Sequence, residues 1–182
     1  MTNTFRGIRW MISAAVFFAG IISCGRALGG RFGAFEIVAI QTVISTLLMV
    51  PWLLRGGYAK LRTRRAVGYG LRAVLSMAAM VTMFLALQTL PVADVTALLF
   101  TIGLFTVMFA AIALREAVGA KRWVALVVGF AGALIIIRPG FAQFSWALVL
   151  MMVCALTFGA ANVFTRSLAT TEDANAVVFY NY

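Results

Sequence analysis

The sequence contains no histidine, five acidic residues, two cysteines and three prolines in 182 residues. Each shortage closes off chemistry. Without histidine, the side chain most used as a general base near neutral pH and as a metal ligand is missing. Cys24 and Cys154 lie inside apolar runs with no metal-ligand types beside them, so they read as small hydrophobes facing lipid or core. No nucleophile–base constellation stands out, which argues against a membrane enzyme, and neither cofactor nor metal is implied. Charge is scarce too: 11% of residues are charged and 64% hydrophobic, against roughly 25% and 45–50% in soluble domains. A soluble fold of this size cannot hide so much apolar surface. The chain therefore belongs in the membrane class, with the lipid bilayer as its first partner.

What charge there is carries information through its placement. The net charge of +10 would suit a nucleic-acid binder, but the basic residues punctuate apolar runs and do not line one soluble face, so no nucleic-acid partner is expected. Arg6 and Arg9 precede an apolar stretch, as in a signal peptide, yet no polar domain follows and apolar runs recur to the end. A span needs about 20 apolar residues to cross about 30 Å of hydrocarbon. Six runs qualify: 10–25, 37–54, 73–90, 95–114, 123–137 and a sixth within 141–165. The fifth is short and spans if Arg122 and Arg138 snorkel. Trp10, Trp52, Trp123 and Trp146 fall at span ends as belt anchors. With the N-terminus in the cytoplasm, Arg26, Arg31 and Arg138 face outward and every other basic residue faces inward, Arg72 being counted with the loop before the third span. That bias predicts a multi-pass inner-membrane protein with a cytoplasmic N-terminus.

Helices in lipid associate through small residues and polar contacts. Ala125, Gly129 and Ala133 recur every fourth residue, which predicts a close helix contact in the fifth span. Ser13, Phe17, Gly20 and Cys24 share a face of the first span. Ser76, Met80 and Met83 share one in the third, and Thr96, Gly103 and Ala110 one in the fourth. These faces suit either a cavity of mixed polarity or plain packing. Gln41 and Asn162 are amides within spans and should seek a partner helix or face a cavity. Together with Ser76, Met80 and Gly103 they are the candidate substrate contacts. Glu116 ends the fourth span, where the helix dipole opposes a carboxylate. Arg115, Lys121 and Arg122 offset it, giving either an ion-pair knot that fixes the loop or a gate. Asp94 suits a helix start, and Arg26 and Arg166 read as anchors. Ala15, Phe18, Arg26 and Leu28 align with Ala155, Phe158, Arg166 and Leu168 at an offset of 140 residues. The two spans run in opposite directions, as in an inverted repeat.

The stretch 84–140 carries a more specific pattern. It holds Ala86-Leu87-x-x-Leu90-Pro91-x-Ala93-Asp94, then Leu114-x-Glu116, Arg122-Trp123, Gly129-Phe130-x-Gly132 and Arg138-Pro139. Together with Phe35-Glu36-Ile37-Val38 this resembles the first half of an EamA-type drug/metabolite transporter, closest to the branch of S-adenosylmethionine and riboflavin carriers. Two departures stand out: Gln41 where the family often has Arg, and Gly103 where it often has Pro. The resemblance implies an all-α polytopic membrane fold. Residues 1–140 would form a five-helix first repeat, and 141–182 the start of an inverted second repeat, truncated within its second helix. It implies a secondary transporter of a small organic metabolite working by alternating access, completed by a missing C-terminal half or a homodimer. A non-transporting scaffold or inactive fragment is the alternative. Four-helix multidrug exporters of the same superfamily rely on a carboxylate in the first span, and 10–25 contains none.

Overall fold

The computed structural model describes residues 2–54, 65–113, 119–137, 145–169 and 179–180. Among these, every regular element is helical: α1 (Thr2–Leu28), α2 (Ala34–Leu54), α3 (Ala66–Thr89), α4 (Val92–Ala113), α5 (Ala120–Ile137) and α6 (Trp146–Ala169). Among the described residues, α1 to α4 and α6 are long and apolar enough to cross a membrane, and α5 carries a shorter apolar stretch, Trp123–Gly132. The protein is thus an all-α polytopic membrane protein.

The helices outrun the apolar runs that announce them. Backbone hydrogen bonds continue through polar flanks because a helix has no need to stop where hydrocarbon does. The largest consequence is in α3. The apolar run suggested a start at 73, but the helix begins at Ala66 and takes in Arg72. Arg72 is therefore not a loop charge. It lies inside the bundle and is only 8% exposed.

Short caps fix several helix starts. Glu36, in the first turn of α2, accepts a hydrogen bond from the Gly33 N–H at 2.9 Å, the reciprocal half of a capping box. Ser145 Oγ accepts from the Ala147 N–H at 3.2 Å as α6 begins. Pro91 directly precedes α4, and Asp94 falls in its first turn, where negative charge meets the positive end of the dipole. Arg26, in the last turn of α1, donates to the carbonyls of Leu87 and Leu90 at the end of α3. It serves orphan carbonyls there and ties the C-terminal ends of the two helices together.

The core is built around α3. Ala79, Met83, Phe84, Ala86 and Leu87 of α3 are buried against Val95 and Leu98 of α4 and Ala147, Met151 and Cys154 of α6, with Ile22, Ile37 and Val38 closing one side. The helix α6 packs most extensively on α3 and α4, while α1 and α2 lean on α3 and leave long apolar faces exposed. Two glycines make the tightest approaches. A Cβ on Gly159 would lie 2.8 Å from Phe105 Cβ and 3.1 Å from the Thr106 backbone N, so α6 crosses α4 almost backbone to backbone. A Cβ on Gly25 would enter the ring of Phe84. By contrast, nothing lies within 4 Å of a Cβ on Gly129 or Gly132. The close contact expected of α5 through its small residues is not made at Gly129; α5 meets α4 elsewhere, with Leu126 against Gly103.

Candidate functional site

A cavity of about 270 Å³ opens between α2, α3 and α6. Helix α2 contributes Val38, Gln41 and Thr42; α3 contributes Arg72, Ser76, Met77 and Met80; α6 contributes Phe158, Asn162 and Thr165. The spacing explains the convergence. Arg72, Ser76 and Met80 recur every four residues and so share a face of α3, and Phe158, Asn162 and Thr165, four and then three apart, share one on α6. The antiparallel run of α3 and α6 brings Arg72, near the start of one, to Thr165, near the end of the other.

Polar groups in this cavity are either locked to a neighbour or turned to its interior. Arg72 Nε donates to Thr165 Oγ1 at 2.6 Å, and Thr165 Oγ1 donates in turn to the Ala161 carbonyl at 2.9 Å. The guanidinium is thus held by a hydroxyl that is itself anchored to its helix. Asn162 Nδ2 donates to Thr106 Oγ1 at 3.3 Å, and Thr106 bonds back to the Ile102 carbonyl at 2.7 Å, linking α6 to α4. Thr42 bonds back to the Val38 carbonyl at 2.8 Å. Among the described residues the Gln41 amide and the Ser76 hydroxyl make no hydrogen bond, and both line the cavity. Both side chains are half-buried, so their polar groups are open to water or a solute in the cavity. Arg72 is the one charged side chain among the described lining residues. It lies six residues into α3, about 9 Å along the helix, and is only 8% exposed.

Four of the five residues singled out as substrate contacts, Gln41, Ser76, Met80 and Asn162, lie together on this cavity. Gly103 does not; it packs on Leu126 of α5. Arg115 and Glu116 lie outside the described residues, as does the side chain of Arg122. Arg72, Thr165 and Phe158 were not anticipated as site residues. The available signal for Arg72 was its spacing of four from Ser76, masked by the habit of reading an arginine at the edge of an apolar run as the end of a span.

Among the described residues, three further cavities are more apolar. One of about 540 Å³ lies between α1, α2 and α3, one of about 450 Å³ between α1 and α4, and one of about 380 Å³ between α4 and α6. The first shares Gln41 with the polar cavity.

A profile of the EamA-like transporter family matches residues 5–138. An S-adenosylmethionine uptake transporter of Rickettsia bellii is 26% identical over 175 residues, covering 96% of this chain and 60% of the relative. A riboflavin transporter of Vibrio cholerae is 29% identical over 182 residues, covering 98% and 61%. A pseudopaline exporter of Pseudomonas aeruginosa is 28% identical over 177 residues, covering 96% and 61%. The chain thus spans about 60% of the length of the curated relatives it matches. No solved structure matches it.

Proposed function

We propose that this chain, which belongs to the EamA-like transporter family, forms the solute-lining part of a secondary transporter that moves a small organic metabolite across the bacterial inner membrane by alternating access. The observation that carries this reading is the cavity between α2, α3 and α6, lined by polar side chains of three apolar helices. There Gln41 and Ser76 present groups that no described residue satisfies, and Arg72 and Asn162 are fixed in place by Thr165 and Thr106. A lipid-facing scaffold has no need of such groups, because each one costs stability in hydrocarbon. A solute with hydrogen-bonding atoms recovers that cost while bound, and loses the gain on release.

In this reading Gln41, Ser76, Met80 and Asn162 contact the solute. Gly103, against Leu126 of α5 and off the cavity, leaves α4 free to adjust its bend, as glycine allows. Glu116 with Arg115 and Arg122 forms the ion pair of the cytoplasmic loop. The N-terminus is cytoplasmic, since that placement puts most of the basic residues inside. Rocking of one repeat against another around a fixed midplane site is the usual route to alternating access. The opposing repeat comes from a C-terminal half beyond this chain or from a second copy. Relatives named for uptake and for export both match, so the direction is set by experiment. Uptake and efflux of labelled metabolites are compared between vesicles with and without the full-length protein. A difference for at least one solute is expected; no difference for any would favour the scaffold.

A further inference from the structure

We propose that Tyr69, Leu168 and Tyr180 form a gate that closes the α2–α3–α6 cavity at the end where α3 starts and α6 finishes, with Tyr180 as the part that lifts. The gate deepens the transporter reading and rests on it; in that reading this end faces the cytoplasm.

The cluster sits on the seam between α3 and α6 that the cavity follows. Tyr69 lies three residues before Arg72 on α3, and Leu168 three residues after Thr165 on α6. Both are about one turn, roughly 4.5 Å of helix, beyond the Arg72–Thr165 bond. Each is 2% exposed, and Tyr180 packs against the pair. A Cβ on Gly68 would lie 3.7 Å from Leu168 Cδ2, so the two helices meet at this level as well. A solute entering from this end meets Tyr69 and Leu168 first, and Arg72 and Thr165 one turn later. An apolar constriction outside a polar cavity holds back water and polar solutes, and gates by dewetting. Arg72 fits a shut gate. An arginine this close to a helix start leans toward that start and can extend its head to the interface. Tyr69 lies in that direction, and Arg72 is instead 8% exposed with its Nε on Thr165.

The closure differs in kind from that at the other end of α3. There the contacts are hydrogen bonds to backbone: Arg26 to the Leu87 and Leu90 carbonyls, and Gln88 Nε2 to the Phe32 carbonyl at 3.4 Å. Here Tyr180, twelve residues past Leu168 in the chain, sets its ring 4.6 Å from that of Tyr69, centroid to centroid, with the planes tilted by 40°. Tyr180 is half-buried, whereas Tyr69 and Leu168 are enclosed. The contact couples the chain beyond α6 to the start of α3. A shift of that chain lifts one wall of the gate while Tyr69 and Leu168 stay on their helices.

Ser76 lines the cavity one turn inside Arg72 and gives the reporter position. The full-length protein, carrying Ser76→Cys and no other cysteine, is reconstituted in vesicles of known orientation. A membrane-impermeant thiosulfonate is added to one face or the other, and the rate of modification is read. Tyr180→Ala should speed modification from the face where α3 starts by about two- to tenfold, the worth of one aromatic contact, and leave the rate from the opposite face unchanged. Tyr180→Phe keeps the ring and should react as the parent does. An unchanged rate in Tyr180→Ala, or a Phe variant as fast as the Ala variant, would overturn the gate. So would an equal rise from both faces, which is the mark of a loosened bundle. Movement of labelled metabolites by the unaltered protein is measured in parallel. If solute moves but the gate fails its test, the transporter reading stands without it; if no solute moves, both readings fall.

Discussion

Gly159→Ala tests the helix crossing on which the cavity's third wall depends. The added Cβ would sit 2.8 Å from Phe105 Cβ, where ordinary contact begins at 3.4 Å, so α6 must back away from α4 by about 0.6 Å. The nearest atoms include the Thr106 backbone N and the Phe105 carbonyl carbon, at 3.1 and 3.2 Å. Backbone cannot rotate aside as a side chain can, so the whole crossing must shift. One turn further on, the Asn162–Thr106 bond, already 3.3 Å long, would stretch to about 3.9 Å and be lost. Overpacking costs about 1–3 kcal/mol, a hydrogen bond between membrane helices adds about 0.6 kcal/mol, and replacing glycine by alanine in a helix returns about 1 kcal/mol. The net expectation is a loss of about 2 kcal/mol, or more than tenfold in the folding equilibrium. Gly129→Ala is the control, because nothing lies within 4 Å of its Cβ; it should be neutral or slightly stabilising. The assay is unfolding of the purified protein in mixed micelles titrated with sodium dodecyl sulfate. Equal midpoints for the two variants would refute the tight crossing.

Gly25→Ala should also destabilise, by about 1–3 kcal/mol, since its Cβ enters the Phe84 ring; the double variant with Phe84→Leu should recover part of the loss in the same titration. Arg26→Gln removes the guanidinium that serves the Leu87 and Leu90 carbonyls and should lower stability by about 1–2 kcal/mol, with Arg26→Lys intermediate; a wild-type midpoint for Arg26→Gln would show that water serves those carbonyls equally well. Gln41→Leu should reduce solute movement in vesicles up to about tenfold, the worth of one neutral hydrogen bond, while leaving the micelle midpoint unchanged or raised; unchanged transport would remove Gln41 from the site. In protein freed of Cys24 and Cys154, Gly30→Cys should react with a membrane-impermeant maleimide from outside, and Gly119→Cys only after permeabilisation, both positions being open; the reverse pattern would invert the orientation.

The sequence was most informative where lipid leaves the fewest choices. Apolar runs of membrane length announce spans, because a backbone in hydrocarbon must form helix to satisfy itself. That rule located all six helices, with α5, at 18 residues, the shortest. It located helix ends poorly, because nothing obliges a helix to end at the edge of its apolar run; α3 begins at Ala66, well before the run at 73. The same blind spot hid Arg72. A charge beside an apolar run reads as a boundary, and only the packing of α6 reveals that this one is enclosed, with Thr165 on its Nε. Gln41 and Asn162 were legible for the opposite reason: an uncharged amide inside an apolar run has no boundary role and must find a partner or a cavity. Small residues were ambiguous. A glycine permits close approach but does not name its neighbour. The regular series at Ala125, Gly129 and Ala133 drew attention, while Gly159 and Gly25, in no such series, make the tight contacts.

The position of α6 sets how these pieces combine. Ala147, Met151 and Cys154 of α6 are buried in the same cluster as the α3 core, and α6 supplies a full wall of the α2–α3–α6 cavity. In lipid, an apolar helix face gains little from burial alone, since acyl chains are as apolar as leucine. What holds α6 against α3 and α4 must therefore be close packing and polar contacts: the glycine crossing at Gly159, the Asn162–Thr106 bond and the Thr165–Arg72 bond. Two of those three contacts are made by residues that line the cavity. The interactions that dock the helix and those that shape the site are thus largely the same, so any movement of α6 against α3 that opens the cavity must also strain or exchange the hydrogen bond on Arg72. Under the proposed alternating-access cycle, that coupling would tie the docking contacts of α6 to its solute contacts, so that neither changes independently.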